Sequence, residues 1–438
     1  MMTTPFLEKN ITILGAKRSG LALVDLVLRI HAVPRVSERA QDADMAALLG
    51  QKGIECEFGG HTQSFIEKSD LVILSPGVPI DGEAACWAKN RNIPVLGEIE
   101  FAFQFCPIPV IAVTGSNGKT TVVTLIHEIL KEAGHPNCLC GNVGYPFSGY
   151  CLDLSSKDYV VLEISSFQLE SVLGPDSNKN EMAGLTPFSF KRFRPFISVF
   201  LNFSQNHLDR HKDIEEYFEA KKRIFINQTK DDYAVFSDRC DMIKKDVSQM
   251  KAQVSCFDDD MAKRRYQANN LNQMAVLEVA RILKIDPQVC SRVFKRFKGV
   301  EHRLEWVRNV RGVDYFNDSK ATTAEAGRWA LNNFEKPVVM ICGGRDKNID
   351  FSVLKDLVKK KVKKMIVIGE AKKKLRETFE DVVTVEESAL LEEAVHKASQ
   401  SARQGGAVLL SPMCASFDMF NNFEERGRAF KEIVNQLK

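Results

Sequence analysis

The stretch Val110-Ile111-Ala112-Val113-Thr114-Gly115-Ser116-Asn117-Gly118-Lys119-Thr120-Thr121 constrains this chain more than any other. An apolar run suited to a buried strand ends in Gly-x-x-Gly-Lys-Thr. Apolar residues then recur at Leu125, Ile126, Ile129 and Leu130 with helical spacing. The segment predicts a strand, a phosphate loop and a helix. Glycines let backbone N–H groups close around phosphate oxygens, Lys119 supplies a point charge, and Thr120 offers a hydroxyl to Mg²⁺. Val113 occupies the position of the first glycine of a full Walker A loop, so the match to that motif is incomplete. Gly115, Ser116, Asn117, Gly118, Lys119, Thr120 and Thr121 are the expected phosphate contacts, and ATP or a close relative is the expected ligand.

At 438 residues the chain exceeds one core, and two or three domains are expected. Three blocks emerge, each opening on a buried-looking strand. The first starts at Asn10-Ile11-Thr12-Ile13-Leu14-Gly15 and turns through Ala16 to Gly20 into a helix from Leu21 to Leu28. Further strand signals are Val33 to Val36 and Asp70 to Leu74, the latter ending in Ser75-Pro76-Gly77-Val78-Pro79. The second block carries the phosphate loop. The third shows strands at Pro337 to Cys342, Met365 to Ile368 and Ala407 to Leu410, with glycine turns after the first two. Strands alternating with helices imply parallel, doubly wound sheets with ligands at the carboxyl ends of the strands. Lys17 stands where a dinucleotide fingerprint needs its second glycine, which disfavours an NAD site but not a looser nucleotide ligand.

Sixty Lys and Arg against 57 Asp and Glu leave a net charge of +3, spread along the chain, with no nucleic-acid footprint. The lysines between Lys355 and Lys374 read as a solvated face. Eleven scattered cysteines without paired Cys-x-x-Cys spacing read as reduced thiols of a cytosolic protein. Met1 to Lys9 lacks the pattern of a signal peptide, and no run of about twenty apolar residues is present. A soluble, cytoplasmic protein is expected.

Chemistry-bearing clusters recur at strand ends. Val160 to Phe167 places Glu163 at the end of an apolar run, which suits either a Mg²⁺ ligand or a solvent-facing carboxylate. Asn206-His207-Leu208-Asp209-Arg210-His211 follows the strand Ile197 to Leu201. Its two histidines, four apart, would share one face of a helix, but zinc lacks further soft ligands nearby. Lys221 and Lys222 lie on a helical pattern and pass, by themselves, for surface cations. In the third block, His302-Arg303-Leu304-Glu305, Asn317-Asp318-Ser319-Lys320-Ala321-Thr322-Thr323, Gly343 to Lys347 and Leu410 to Asp418 gather donors and acceptors. They suit ribose, phosphate or a substrate carboxylate, or else ordinary capped turns.

In this order the motifs resemble the Mur ligase family, the ATP-dependent amide-forming enzymes of peptidoglycan precursor synthesis. The resemblance covers nearly the whole chain. It rests on Leu162-Glu163-Ile164-Ser165-Ser166-Phe167-Gln168-Leu169-Glu170, on Asn317 to Thr322, and on the Ser411 to Gly427 run; the Asp-Asn-Pro-Arg signature of diamino-acid-adding relatives is absent. It implies three α/β domains: a Rossmann-like UDP-substrate domain at 1–106, a central P-loop ATPase-type domain with a mostly parallel sheet at 107–299, and a Rossmann-like amino-acid-binding domain at 300–438. The implied reaction adds D-glutamate to UDP-N-acetylmuramoyl-L-alanine through an acyl phosphate.

By the same resemblance Lys119 contacts the β/γ-phosphates, Thr120 and Glu163 hold one Mg²⁺, and His207 serves a second. Lys221 is the lysine that takes up CO₂ as a carbamate to support the second ion. Asn272, Arg303, Asp318 and Lys320 match ATP contacts, and Thr322, Lys347, Ser416 and Phe423 surround D-glutamate. Arg18, Ser19, Glu38, Ser75, Pro76, Gly77 and Asn142 match the UDP end. Lys17, Arg39 and Ala268 depart from the family pattern. The segment 174–194, with Phe188, Phe190, Phe193 and neighbouring cations, looks like an insertion and a candidate docking patch for a partner or membrane face. Rival readings are a different Mur-type or folylpolyglutamate-type ligase, a nucleotide-gated binding protein, and a nicotinamide oxidoreductase.

Overall fold

A computed structural model describes residues 5–175, 190–204, 210–257, 271–297, 299–346 and 349–438. The chain divides into two compact units, 1–296 and 297–438. The first holds two sheets and the second holds one.

The first sheet comprises β1 (Asn10–Leu14), β2 (Val33–Glu38), β3 (Glu55–Phe58), β4 (Leu71–Leu74) and β5 (Val95–Gly97). Its order is β3-β2-β1-β4-β5, parallel throughout. The chain leaves β1 to one side and returns to β4 on the other, so a crevice opens beyond the carboxyl end of β1. Helix α1 (Arg18–Arg29) starts there, three residues before the Leu21 expected from hydrophobic spacing. The helix packs tightly on the turn: a Cβ on Gly20 would lie 1.9 Å from the Gly15 carbonyl oxygen.

Helix α2 (Glu98–Phe103) leads into the second sheet, built from β6 (Val110–Thr114), β7 (Asn137–Gly141), β8 (Tyr159–Glu163), β9 (Ile197–Phe200), β10 (Tyr233–Ser237) and β11 (Gln253–Phe257). The order β11-β10-β9-β6-β8-β7 puts the second switch point at β6. Every residue of β6 is buried, as a strand covered on both faces requires. Helix α3 (Lys119–Glu132) follows the phosphate loop, and α4 (Ile214–Lys222) and α5 (Leu271–Ile282) come later. One apolar core runs from Phe6 to Ala252 through both sheets.

The second unit orders β12 (Glu305–Val310), β13 (Val313–Asn317), β14 (Val338–Gly343), β15 (Val362–Ile368), β16 (Thr384–Glu387) and β17 (Ala407–Leu410) as β12-β13-β17-β14-β15-β16. Only β12 runs antiparallel to its neighbour. Alternate residues feed opposite faces. Met340, Cys342, Met365 and Val367 enter one core, while Val339, Ile341, Ile366 and Ile368 enter the other with α6 (Leu391–Ser401) and α7 (Phe423–Gln436).

Two expectations need correction. His211 precedes α4, whose N-cap is Asp213, so it occupies no helix face, and His207 lies outside the described residues. The end of the segment 174–194 is not a free docking patch either. Phe193 is buried with its ring 5.4 Å from that of Phe103, its N–H donates to Glu100, and Arg194 pairs with Asp232 at 2.7 Å. Residues 176–189, Phe188 among them, lie outside the described residues.

Candidate active site

The phosphate loop is shaped by two glycines in the left-handed region, Gly115 at φ +152° and Gly118 at φ +84°. A Cβ on Gly118 would stand 2.4 Å from Asn272 Oδ1, which places the α5 amide directly against the loop. The strand-end residue Asn202 laces the other side: its Oδ1 accepts from Asn117 N–H at 2.9 Å and its Nδ2 donates to the Asn117 carbonyl at 3.0 Å. Ser116 Oγ donates to the Ser204 carbonyl at 3.0 Å and meets the Tyr217 hydroxyl at 3.3 Å. Thr120 is buried in the first turn of α3.

Two lysines converge on this loop. Lys119 Nζ donates to the Gly115 carbonyl at 2.7 Å and to that of Ser116 at 3.1 Å, and Lys221 Nζ donates to the same Gly115 oxygen at 3.0 Å. Lys221 is 1% exposed, and its ammonium sits 4.7 Å from the Tyr217 ring centroid. It is no surface cation, whereas Lys222 reaches Glu219 and Asp246 at the periphery. Burial, then the charge of Lys119, holds the Lys221 amine well below the ordinary lysine range.

Glu163 closes β8 and is 1% exposed, which removes the solvent-facing alternative. Its Oε1 accepts from Asn142 Nδ2 at 2.8 Å, while its Oε2 is buried with no hydrogen-bond partner among the described residues. A buried carboxylate oxygen without a partner carries a desolvation cost that a cation offsets. Nearby, Ser165 and Gln168 form a reciprocal capping box. Ser166 Oγ lies 3.2 Å from Nε2 of buried His211, whose pKa burial pushes down.

Asn142 also lines a cleft of about 760 Å³ at the crevice of the first sheet. Arg18, Ser19, Glu38, Ser75, Pro76 and Gly77 line it too, so every residue expected at the UDP end shares one cavity. Lys17 and Arg39 add two more cations to its wall. Glu38 is fixed by accepting the N–H groups of Ala16 at 2.8 Å and Ala40 at 2.9 Å. The Arg18 guanidinium lies 5.7 Å from the Tyr145 ring centroid.

In the second unit, Asp318 is buried and accepts from Leu304 N–H at 3.2 Å and Ser411 Oγ at 3.0 Å. Burial raises its pKa to about 7, against the opposing charge of Arg303. Lys320 stands 5.7 Å from the ring centroid of Phe423, and its N–H donates to the His302 carbonyl. Ser416 is buried and Thr322 half-buried. Lys347 lies outside the described residues, as do Ala268 and Asn269. Buried Arg426 holds the turns together through Ser319 and the Cys414 carbonyl.

Among the described residues, Asn202 and Tyr217 were missed by sequence reasoning. Asn202 had a signal, an amide just past a strand beside the phosphate loop's own strand. Tyr217, four residues before Lys221, had only helical spacing.

Comparisons with known proteins agree with this layout. Family models match as the Mur ligase MurD-like N-terminal domain over residues 9–97, the Mur ligase middle domain over 113–293 and the Mur ligase glutamate ligase domain over 302–414. The chain is 36% identical over 466 aligned positions to the UDP-N-acetylmuramoylalanine–D-glutamate ligase of Thermoanaerobacter sp. (strain X514), covering 98% of this chain and 99% of that protein. Identity to the ligase of the same name from Koribacter versatilis (strain Ellin345) is 37% over 461 positions, with 98% of each covered. Among solved structures, the UDP-N-acetylmuramate-alanine ligase of Thermotoga maritima shares the fold with a TM-score of 0.57 at 17% identity, covering 98% of this chain and all of that one. The MurF ligase of Thermotoga maritima in complex with ADP gives 0.56 at 15% identity over 98% and 96% of the two chains. A phosphate loop, a buried lysine and a large cleft in one unit, with family models over most of the chain and curated relatives covering 98% of it, place the chain in the Mur ligase family.

Proposed function

We propose that the chain is an ATP-dependent ligase that joins D-glutamate to UDP-N-acetylmuramoyl-L-alanine, releasing ADP and phosphate. The observation that carries this reading is the meeting of three features within one unit. Lys119 and Lys221 converge on Gly115, Glu163 keeps one oxygen unpaired among the described residues, and Asn142 both binds Glu163 and lines the large cleft. A sugar-linked acid held in that cleft would extend toward the phosphate loop.

A carboxylate resists attack by an amine, so it must first gain a leaving group. An oxygen of the alanyl carboxylate attacks the γ-phosphorus of ATP, and the bond to the bridging oxygen breaks as ADP departs. The D-glutamate nitrogen then attacks the carbonyl carbon, and the tetrahedral species collapses with loss of phosphate and a proton to form the amide. Backbone N–H groups of the phosphate loop and the Lys119 ammonium stabilise charge on the transferring phosphoryl group. The donor set fits magnesium: Glu163 Oε2 and the Thr120 hydroxyl would hold one ion, and His207 with Lys221 as a carbamate a second. When bound, magnesium screens the repulsion between the attacked carboxylate and the phosphates. Burial, which favours the unprotonated form of the Lys221 amine, supports carbamate formation, because only an unprotonated amine adds CO₂. Arg303, Asp318, Lys320 and Asn272 serve the nucleotide, and Thr322, Lys347, Ser416 and Phe423 the amino acid. A cytoplasmic setting suits these substrates.

Phosphate release measured with D-glutamate, L-alanine, diamino acids or folates tests the reading. Release that needs both UDP-N-acetylmuramoyl-L-alanine and D-glutamate is the expected result. Release indifferent to both would replace it with a nucleotide-driven binding protein.

A further inference from the structure

The second unit carries a second cleft at the wrong end of its sheet for the chemistry above. Asp318 and Ser411 mark the carboxyl ends of β13 and β17. The cleft, of about 630 Å³, lies instead at the amino ends, among Pro337, Val339, Lys363, Thr384, Arg403 and Ala407. The six residues of β14, at about 3.3 Å each, set the two edges roughly 17 Å apart.

Its wall is basic. Lys363, Lys364 and Arg403 line it, and no carboxylate does. Lys364 pairs with Glu386 at 2.6 Å. Elsewhere on this edge Lys336 pairs with Asp314 and Lys361 donates to the Phe334 carbonyl. Lys363 and Arg403 differ: among the described residues neither side chain has a hydrogen-bond or ion-pair partner. Backbone geometry singles out the same lysine. Val338 pairs with Val362 and Val339 with Lys364, so Lys363 is the extra residue of a β-bulge. A bulge re-aims the side chain it carries and breaks the ladder locally, a feature over-represented beside binding sites. Arg403 approaches from the loop after α6, which turns through Gly405 at φ +82°.

We propose that this cleft is a second ligand site that takes a small phosphorylated metabolite, separate from the amide-forming centre. The guanidinium fork of Arg403 and the point charge of Lys363 suit a phosphate monoester dianion. Thr384 and Gln404 supply neutral hydrogen-bonding groups, and Pro337, Val339 and Ala402 an apolar floor for the organic part. The volume falls within the range of ordinary small-molecule sites, about 300–1,000 Å³.

Isothermal titration of the full chain tests this, with UDP and a non-hydrolysable ATP analogue saturating the other anion sites. The probes are inorganic phosphate, glucose 6-phosphate and glucose. Saturable binding of glucose 6-phosphate, weakened at least tenfold in the double variant Lys363→Ser/Arg403→Ser, is expected, with no binding of glucose. Binding of inorganic phosphate equal to that of the sugar phosphate would overturn the organic half of the proposal. The control Lys360→Ser alters an exposed lysine of the same run outside the cleft. Equal weakening by this control, or no binding at all, would overturn the site. Basal phosphate release should be unchanged in all these variants, which also reports that they fold.

Discussion

At the scale of single residues, the site depends on two side chains whose behaviour follows from burial. Lys221 is buried with the Lys119 ammonium nearby, so its charged form is disfavoured, although it donates to the Gly115 carbonyl and faces the Tyr217 ring. Lys221→Ala is expected to cut phosphate release about 100-fold or more, with partial return when a short carboxylate such as acetate is added. An undiminished rate would remove the carbamate assignment. Lys119→Ala deletes the charge at the phosphate loop and should lower kcat by about 10²–10³. For Glu163→Gln the informative measurement is a magnesium titration: the concentration for half-maximal activity should rise sharply, and an unshifted curve would exclude Glu163 as a ligand.

At the scale of elements, the helix α2 joining the first two sheets carries a titratable bolt. Glu100 Oε2 accepts the Phe193 N–H at 3.0 Å, its Oε1 is buried without a hydrogen-bond partner among the described residues, and burial raises its pKa to about 8. An acid whose folded pKa exceeds its unfolded value, about 4.3, contributes stability that is full below the unfolded value and lost as pH rises through about 8. Glu100→Gln keeps the acceptor and cannot ionise. Its melting temperature should therefore fall less than that of the wild type between pH 5 and pH 9, and parallel curves would contradict the argument. The phosphate loop makes a different demand. Gly118→Ala combines a left-handed backbone with a collision against Asn272, and should cost about 1–2 kcal/mol or more with loss of nucleotide affinity.

At the scale of the whole molecule, function is distributed over separate sheets. The cleft proposed for UDP is built at the first switch point and the phosphate loop at the second. Lys119→Ala should thus leave UDP affinity within about twofold of wild type by titration, and a larger change would mean that the two sites are not independent. Much of this was legible beforehand. The phosphate loop declared itself because glycine conformation, lysine charge and strand-to-helix spacing are all local. Glu163 stood out as a charge ending an apolar run, and each residue expected at the UDP end does line one cleft. Lys221 was not legible as a buried group from its surroundings, since it sits beside Lys222 on one helical pattern and only packing separates their fates. Phe193 read as part of an exposed patch for the same reason: nothing near it in the chain announces Phe103 or Glu100 as partners.

The chain's sequence by itself determined three α/β blocks, the position of the phosphate loop and the residue types at the strand ends, because periodicity, turn chemistry and glycine conformation act over a few residues. Tertiary structure alone decided which polar groups are buried and which, among the described residues, stay unpaired. Those outcomes depend on desolvation and on contacts between residues far apart in the chain, as when Asn202 meets Asn117 and Lys221 meets Gly115.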